Sequence, residues 1–247
     1  MAKRVEILSK INEWLQPENF QDYAPNGLQV EGRETVSVIV SGVTASQALI
    51  DAAVEHNADM ILVHHGYFWK GEDQTIRGMK KNRIKQLLDN DINLVAYHLP
   101  LDDHSEYGNN RQLADVLGIV NPRPMGGLVW QGELPEAMSA EKFGLHLARA
   151  LHRQPLHVGN GAEYIKTVAW CTGGAQGFIN VALDAGVDAY ISGEISEPTT
   201  HTARECGIHY FAAGHHATER YGVQALGEAL AKAFGVQHQF IDCDNPV

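Results

Sequence analysis

Side chains able to ligate a divalent metal stand at three chain reversals. His64-His65 close the apolar run Met60–Val63, Asp102 follows the run Asn93–Tyr97, and His215 with Glu219 follows His209–Ala212. Each group lies just past a segment that reads as a buried strand, and in open α/β sheets ligands bind beyond the carboxyl ends of strands. Imidazole nitrogens and carboxylate oxygens together suit ions such as Zn, Mn or Fe, and two ions side by side make a hydrolytic centre.

Local chemistry refines these expectations. Consecutive strand residues point to opposite faces, so His64 and His65 are expected to serve two ions rather than one. Pro100 within His98–Asp102 argues against a helix or central strand there and predicts a fixed loop. In that loop Asp102 offers a hard oxygen, Asp103 and His104 compete with it, and His98 can ligate, orient a ligand or meet substrate. His215 and Glu219 are spaced i, i+4 at the start of an amphipathic helix running to about Phe234, so one face can carry both. A carboxylate at that positive helix end stays ionised and can bridge two cations. Cys171–Gln176, with Gly173 and Gly174 between a strand and a helix, reads either as amides cradling an anion or as a tight turn.

The elements that position these residues occur twice. Shifted by 129 residues, the strand–helix–strand stretch Val36–Val63 aligns without gaps on Ile165–Ser192, matching Gln47 with Gln176, Ile50 with Ile179, Ala53 with Ala182 and Asp59 with Asp188. Glu194 then aligns with His65 and is expected beside the site, as a substrate contact or supporting group. The next strands, Ile92–Tyr97 and Ile208–Ala212, align at a shift of 116, so the first copy carries extra residues, placed in Tyr67–Met79. Each copy begins with an amphipathic helix, Arg4–Leu15 and Ala140–Leu151. A duplicated α/β unit with a mixed or parallel sheet covered by helices is expected. The Gly- and Pro-rich stretch Pro122–Pro135 is the plausible seam, giving a first repeat over 1–125 and a second over 126–247.

Composition narrows the class. The chain has 247 residues, 44% of them hydrophobic, which is enough for a real core. With 30 acidic against 19 basic side chains the net charge is −11, which disfavours unspecific binding to nucleic acid or anionic membrane. The 3 cysteines are scattered, an odd number without CxxC spacing, which argues against a disulfide framework and fits a reducing cytoplasm. The amphipathic, charged N-terminus lacks the apolar core of a signal peptide, so the expected location is cytoplasmic, with no membrane partner. GxSxG, HExxH, Walker and GxGxxG patterns are missing.

Taken together, Asp22–Gly32, Val63-His-His-Gly66, His98-Leu-Pro-Leu-Asp102, Ser192-Gly-Glu194 and Gly214-His-His-Ala-Thr-Glu219 resemble the GTP cyclohydrolase 1 type 2 family, also called NGG-interacting-factor-three-like. The chain looks like the bacterial YbgI-type members. The resemblance runs from about residue 5 to residue 243 with the motifs in order. It implies two interlocked α/β repeats and a homo-oligomer in the form of a ring-shaped hexamer, with dinuclear metal sites facing its cavity. Carried over by motif, the metal ligands would be His64, His65, Asp102, His215 and Glu219, with Glu219 the bridge, and His98 would lie beside the metals. The short region Gly132–Gln154 leaves no room for the extra domain that larger relatives carry between repeats.

The expectation is a dinuclear metal-dependent hydrolase acting on a nucleotide or nucleotide-derived substrate, with two divalent ions (Fe, Mn, Zn or Mg) per chain. Such ions supply an activated water and polarise the electrophile. His98 and Glu194 are the catalytic candidates for proton transfer. The rival readings are a non-catalytic metal-binding scaffold or regulatory protein, and a ring that handles DNA or damaged nucleotides. The last would use the basic stretch Arg77–Lys85, which a solvated helix face explains more cheaply.

Overall fold

Continuous apolar runs such as Met60–Val63 require a strand covered on both faces, and the fold supplies that cover twice. In a computed structural model describing residues 1–247, the chain divides into two compact units. The first takes Met1–Gly108 and Gly222–Asp244, the second Asn109–Tyr221 and Asn245–Val247.

In chain order the first unit contains β1 (Ala2–Lys3), α1 (Arg4–Leu15), β2 (Gly27–Val30), β3 (Thr35–Val36), β4 (Val38–Thr44), α2 (Gln47–Glu55), β5 (Met60–His65), α3 (Gly78–Asp89), β6 (Asn93–Ala96) and α4 (Leu99–Asp103). The second contains α5 (Asn109–Val116), β7 (Val120–Gly126), β8 (Val129–Met138), α6 (Ala140–Leu151), β9 (Leu156–Val158), β10 (Ile165–Cys171), α7 (Ile179–Asp184), β11 (Ala189–Ser192), α8 (Glu197–Cys206), β12 (His209–Ala212) and α9 (His215–Thr218). The chain then continues through α10 (Arg220–Phe234) to β13 (Gln237–Phe240).

Besides a two-stranded β1–β3 ribbon there are two large sheets, both mixed. The first has the order β13-β4-β5-β6-β2, parallel except for β2. The second has the order β7-β8-β10-β11-β12-β9, with β10, β11 and β12 parallel and the outer pairings antiparallel. On one face of the first sheet, Met60, Leu62 and Val95 pack with Ile7 and Ile11 of α1 and with Leu226 and Leu230 of α10. On the other, Ile61, Val63 and Leu94 pack with Leu49 and Ile50 of α2 and Leu87 of α3. The second sheet repeats the scheme, with Trp170, Ile191 and Phe211 against α5 and α6, and Tyr190 and Tyr210 on the α7 and α8 side.

The internal repeat extends to individual hydrogen bonds. The Asp59 carboxylate accepts from the Ser37 and Val38 amides at 2.6 and 3.0 Å. Asp188 accepts from the Lys166 and Thr167 amides at 2.9 and 2.8 Å, the same positions 129 residues on. In each copy a carboxylate at the start of the second strand caps otherwise unpaired donors at the start of the first. The repeats are interlocked through equivalent helices. α5, which follows the third strand of the first repeat, packs in the second unit, while most of α10, its counterpart, packs in the first.

Two local expectations are revised. His98–Asp102 is not a loop: α4 begins at Leu99, and Pro100 occupies its first turn. There the missing N–H would have no helical partner and the fixed φ suits the helix. The stretch Pro122–Pro135 is the β7–β8 hairpin inside the second unit. No helix is long and apolar enough to cross a membrane.

Candidate metal centre

In the first unit the strand ends bring His64, His65, His98 and Asp102 together. His64 is fully buried, and its Nδ1–H donates to the Tyr97 carbonyl at 3.0 Å. A carbonyl can only accept, so this bond puts a proton on Nδ1, and in the neutral ring Nε2 is the nitrogen with a lone pair. His64 Nε2 stands 3.5 Å from Asp102 Oδ1. That is too long for a hydrogen bond but close to the roughly 3.4 Å edge of a tetrahedron with ~2.1 Å metal–ligand bonds. His65 Nδ1 bonds the Thr44 hydroxyl at 3.2 Å.

The ligand nitrogens of His64, His65 and His98 all lie within 4.8 Å of one another. The His64 and His65 rings, expected on opposite faces, have centroids only 4.6 Å apart. They sit at the strand terminus, where the Nδ1 anchors on Tyr97 and Thr44 rather than the pleat set their direction. Gly66 permits the turn that follows, since a Cβ there would meet Gln29 Oε1 at 2.1 Å and the Ala96 Cβ at 2.7 Å. His104, the competitor of Asp102, turns away: its Nδ1 accepts from the Tyr107 amide at 2.9 Å and its ring stacks on Tyr107.

His98 is held by residues that spacing does not single out individually. Its Nδ1–H donates to Asp22 Oδ1 at 2.7 Å, and its backbone amide donates to Asn26 Oδ1 at 2.8 Å. Asp22 Oδ2 also accepts from the Leu99 amide and the Asn26 side chain, both at 2.9 Å. Burial alone would raise the Asp22 carboxyl, but hydrogen bonds from His98 and Asn26 and the His98 charge hold it down to about 2. The signal in the sequence is Asp22 four residues ahead of Asn26, a turn-forming pair just before Gly27.

The second unit assembles its own group. Glu219 is not carried on one continuous helix with its successors: α9 ends at Thr218, and Glu219 adopts φ −111°, ψ 9° before α10 starts. Its carboxylate is nearly buried, at 3% exposure, and lies 3.1 Å from His215 Nε2. The other nitrogen, Nδ1, donates to Glu194 Oε1 at 2.7 Å. Glu194 thus orients His215. Burial would lower the His215 pKa, but the hydrogen bonds and charges of Glu219 and Glu194 outweigh it and raise it to about 9. Two carboxylates around one imidazole make a pocket that favours positive charge.

The glycine loop after β10 serves this group. The Gly173 amide donates to the Thr218 hydroxyl at 3.0 Å and its carbonyl accepts from the Gly193 amide at 2.8 Å. The Ala175 amide donates to Ser192 Oγ at 3.2 Å. Amides committed in this way favour the tight turn over the anion cradle. Gly173, at φ +67°, lies against Glu219, where a Cβ would come within 2.0 Å of Oε1.

These residues fit a divalent metal ion. The donors are imidazole nitrogens and carboxylate oxygens. His64, His65 and His215 each have their second nitrogen fixed by a carbonyl, hydroxyl or carboxylate, the support that metal-binding histidines ordinarily need. The basic stretch is a different matter. Arg77 pairs with Asp73, Lys80 with Glu72 and Lys85 with Asp89, so three of its cations are matched by nearby acids, as on an ordinary solvated surface.

Comparisons with known proteins identify the family and the fold. The family model described as Duf34/NIF3 (NGG1p interacting factor 3) matches residues 2–246. A Pseudomonas aeruginosa protein named GTP cyclohydrolase 1 type 2 homolog is 58% identical over 245 residues, covering 97% of each chain. An Escherichia coli protein of the same name is 55% identical over 245 residues, covering 99% of each. Among solved structures, one described as protein ybgI, of unknown function, superposes with a TM-score of 0.97 at 54% identity over 100% of both chains. A Thermus thermophilus protein gives 0.92 at 33% identity, again over 100% of both chains.

Proposed function

Because this chain belongs to the Duf34/NIF3 family, we propose that His64, His65, Asp102, His215 and Glu219 would together hold two divalent cations, with Glu219 contributing to both. The chain then acts as a hydrolase on a nucleotide or nucleotide-derived substrate. The observation that carries this reading is the His64–Asp102 pair: a buried imidazole protonated at Nδ1 facing a carboxylate at ligand–ligand rather than hydrogen-bond distance. Bound divalent cations would supply a water of lowered pKa and a charge that polarises the electrophile.

The remaining work falls to the chain's own side chains. His98, fixed through Nδ1 by Asp22, belongs to the same histidine group and is the candidate for holding and moving a proton during hydrolysis through Nε2. Glu194 grips His215 Nδ1 and so acts first as a positioning residue; its proton-transfer role would operate through that imidazole. The buried walls around His64 and Asp102 exclude bulk water, which strengthens every charge interaction there. The same reading has the chain assembled as a ring-shaped hexamer in the cytoplasm, measurable by light scattering.

The experiment is elemental mass spectrometry on protein purified without added metal or a histidine tag. About two equivalents of a transition metal per chain is the expected result, followed by turnover of nucleotides or phosphoesters with that metal. A chain that stays metal-free through titration with Mn, Fe and Zn would sink the reading.

A further inference from the structure

The segment Gly66–Arg77, between β5 and α3, has only residues 193–196 as its counterpart between β11 and α8. The second repeat completes the same strand–helix–strand frame without it, so the frame does not require the longer segment. It begins directly after His65 and places Trp69 beside His98. Trp69 meets the His98 ring edge-on, at 5.0 Å and 86°, and lies 5.9 Å from the His65 ring. Tyr23, 61% exposed, approaches His98 from another element at 6.3 Å.

The segment is built rather than loose. The Lys70 amide donates to the Tyr23 carbonyl at 2.6 Å, and the Trp69 amide donates to Glu72 Oε2 at 3.1 Å. The Trp69 indole N–H donates to the Gly66 carbonyl at 3.2 Å. Lys80 pairs with Glu72 at 3.2 Å and lies over the Phe68 ring at 4.8 Å. Phe68 itself holds φ at +65°, a left-handed conformation that a bulky L-residue adopts only under constraint. Phe68, Trp69, Lys70, Glu72 and Lys80 line a cavity of about 450 Å³, within the range for small-molecule sites.

We propose that this segment is the substrate-recognition element, and that its cavity takes the planar heteroaromatic base of a nucleotide, stacked on Trp69, with the anionic group toward Lys70. The proposal rests on the nucleotide reading of the neighbouring histidine group. An aromatic face beside a lysine matches the two halves of such a ligand: a base offers a π-face to the indole and a phosphate offers charge to the ammonium. Trp69 also adjoins His98, so a base stacked on its indole would lie one ring away from the histidine group. A purely apolar ligand would make no use of the Lys70 ammonium at the cavity wall.

The test is equilibrium binding of guanosine 5′-monophosphate by calorimetry to the full chain, as purified and after chelation, with ribose 5-phosphate as the probe lacking a base. Trp69→Leu is expected to weaken the nucleotide roughly tenfold or more, Trp69→Phe to stay within about threefold, and ribose 5-phosphate to be insensitive to either. Metal content and melting temperature are measured on each variant, so that loss of fold is separated from loss of stacking. Trp69-dependent binding in metal-free protein would uphold the recognition element even if the metal reading fell. Metal-loaded protein that binds no nucleotide at all, or whose Trp69→Leu variant binds it as tightly as the unaltered chain, would overturn the proposal.

Discussion

Gly173→Ala would drive a methyl group into the carboxylate that sits against the loop after β10. A Cβ at that position lies 2.0 Å from Glu219 Oε1 and 3.1 Å from His215 Nε2, whereas carbon–oxygen contacts settle at roughly 3.3 Å. Glu219 would have to withdraw by more than an ångström from its place beside His215, and at 3% exposure it cannot swing out into solvent. The backbone adds its own cost, because φ is +67° and an L-residue there gives up about 1 kcal/mol. Overpacking and strain together amount to roughly 2–3 kcal/mol, or a melting temperature lower by roughly 4–12 °C for a chain of this length.

A ligand site tolerates displacements of only about 0.5 Å, so metal affinity should fall by two orders of magnitude or more. Gly174→Ala is the control within the same loop. Its nearest neighbours are the Glu194 carboxylate atoms at 3.6 Å, and the change should stay within about 0.5 kcal/mol. Calorimetric melting in chelator and metal titration of the three proteins settle the matter. If Gly173→Ala melts with wild type and binds metal as tightly, the fit between Gly173 and Glu219 does not matter as argued.

Other expectations concern the repeat and the division of roles. Asp188→Ala and Asp59→Ala each strip the acceptor from two backbone amides, and each should cost roughly 1–3 kcal/mol in denaturant melts. Equal insensitivity of both would remove the carboxylate cap from the account of the repeat. Burial would raise the Asp188 carboxyl, but the Thr167 and Lys166 hydrogen bonds hold it below its ordinary range. A depressed folded pKa gives stability that is complete above the unfolded value near 3.9 and lost as pH falls through the folded one. The stability gap between wild type and Asp188→Asn should therefore be flat at neutral pH and close below about pH 4. Glu194→Gln, by weakening the grip on His215 Nδ1, should lower metal affinity roughly 10–100-fold without loss of fold by circular dichroism. His98→Ala should retain metal and lose turnover by roughly 100-fold or more, whereas Glu219→Gln should lose metal; a His98→Ala protein without metal would make His98 a ligand.

Much of this is legible because it is local. The runs around Ile165–Cys171 and Met60–Val63 read as buried strands and fold as β10 and β5, and the residue identities at a shift of 129 mark a true structural repeat. Pattern alone locates the segments bearing His64, His65, Asp102, His215 and Glu219 at strand ends. What pattern cannot supply is side-chain direction. Two adjacent histidines at a strand terminus obey their Nδ1 partners, Tyr97 and Thr44, which lie far off in sequence. Pro100 reads as a loop signal because proline is excluded from helix interiors, yet first turns accept it. The break at Glu219 between α9 and α10 leaves no trace in an i, i+4 spacing. Asp22 escapes individual notice because its role depends on a pairing with His98 made across the sheet's end.

The exchange of α5 for α10 has a bearing on how the chain comes to be folded during synthesis. The first unit needs Gly222–Asp244, including the helix that seals one face of its sheet and the strand β13 that pairs with β4. Its earlier residues, with their apolar strands, emerge from the ribosome long before that cover exists. The second unit, by contrast, is drawn from an almost unbroken span and can close first. Once it has done so, the ends at Gly108 and Gly222 are held by folded structure rather than by a long flexible loop, and the entropy of bringing them together falls. A chain halted near residue 200 would lack α10 and β13 and expose the Leu62–Val95 face of β5 and β6 to chaperones or to its neighbours.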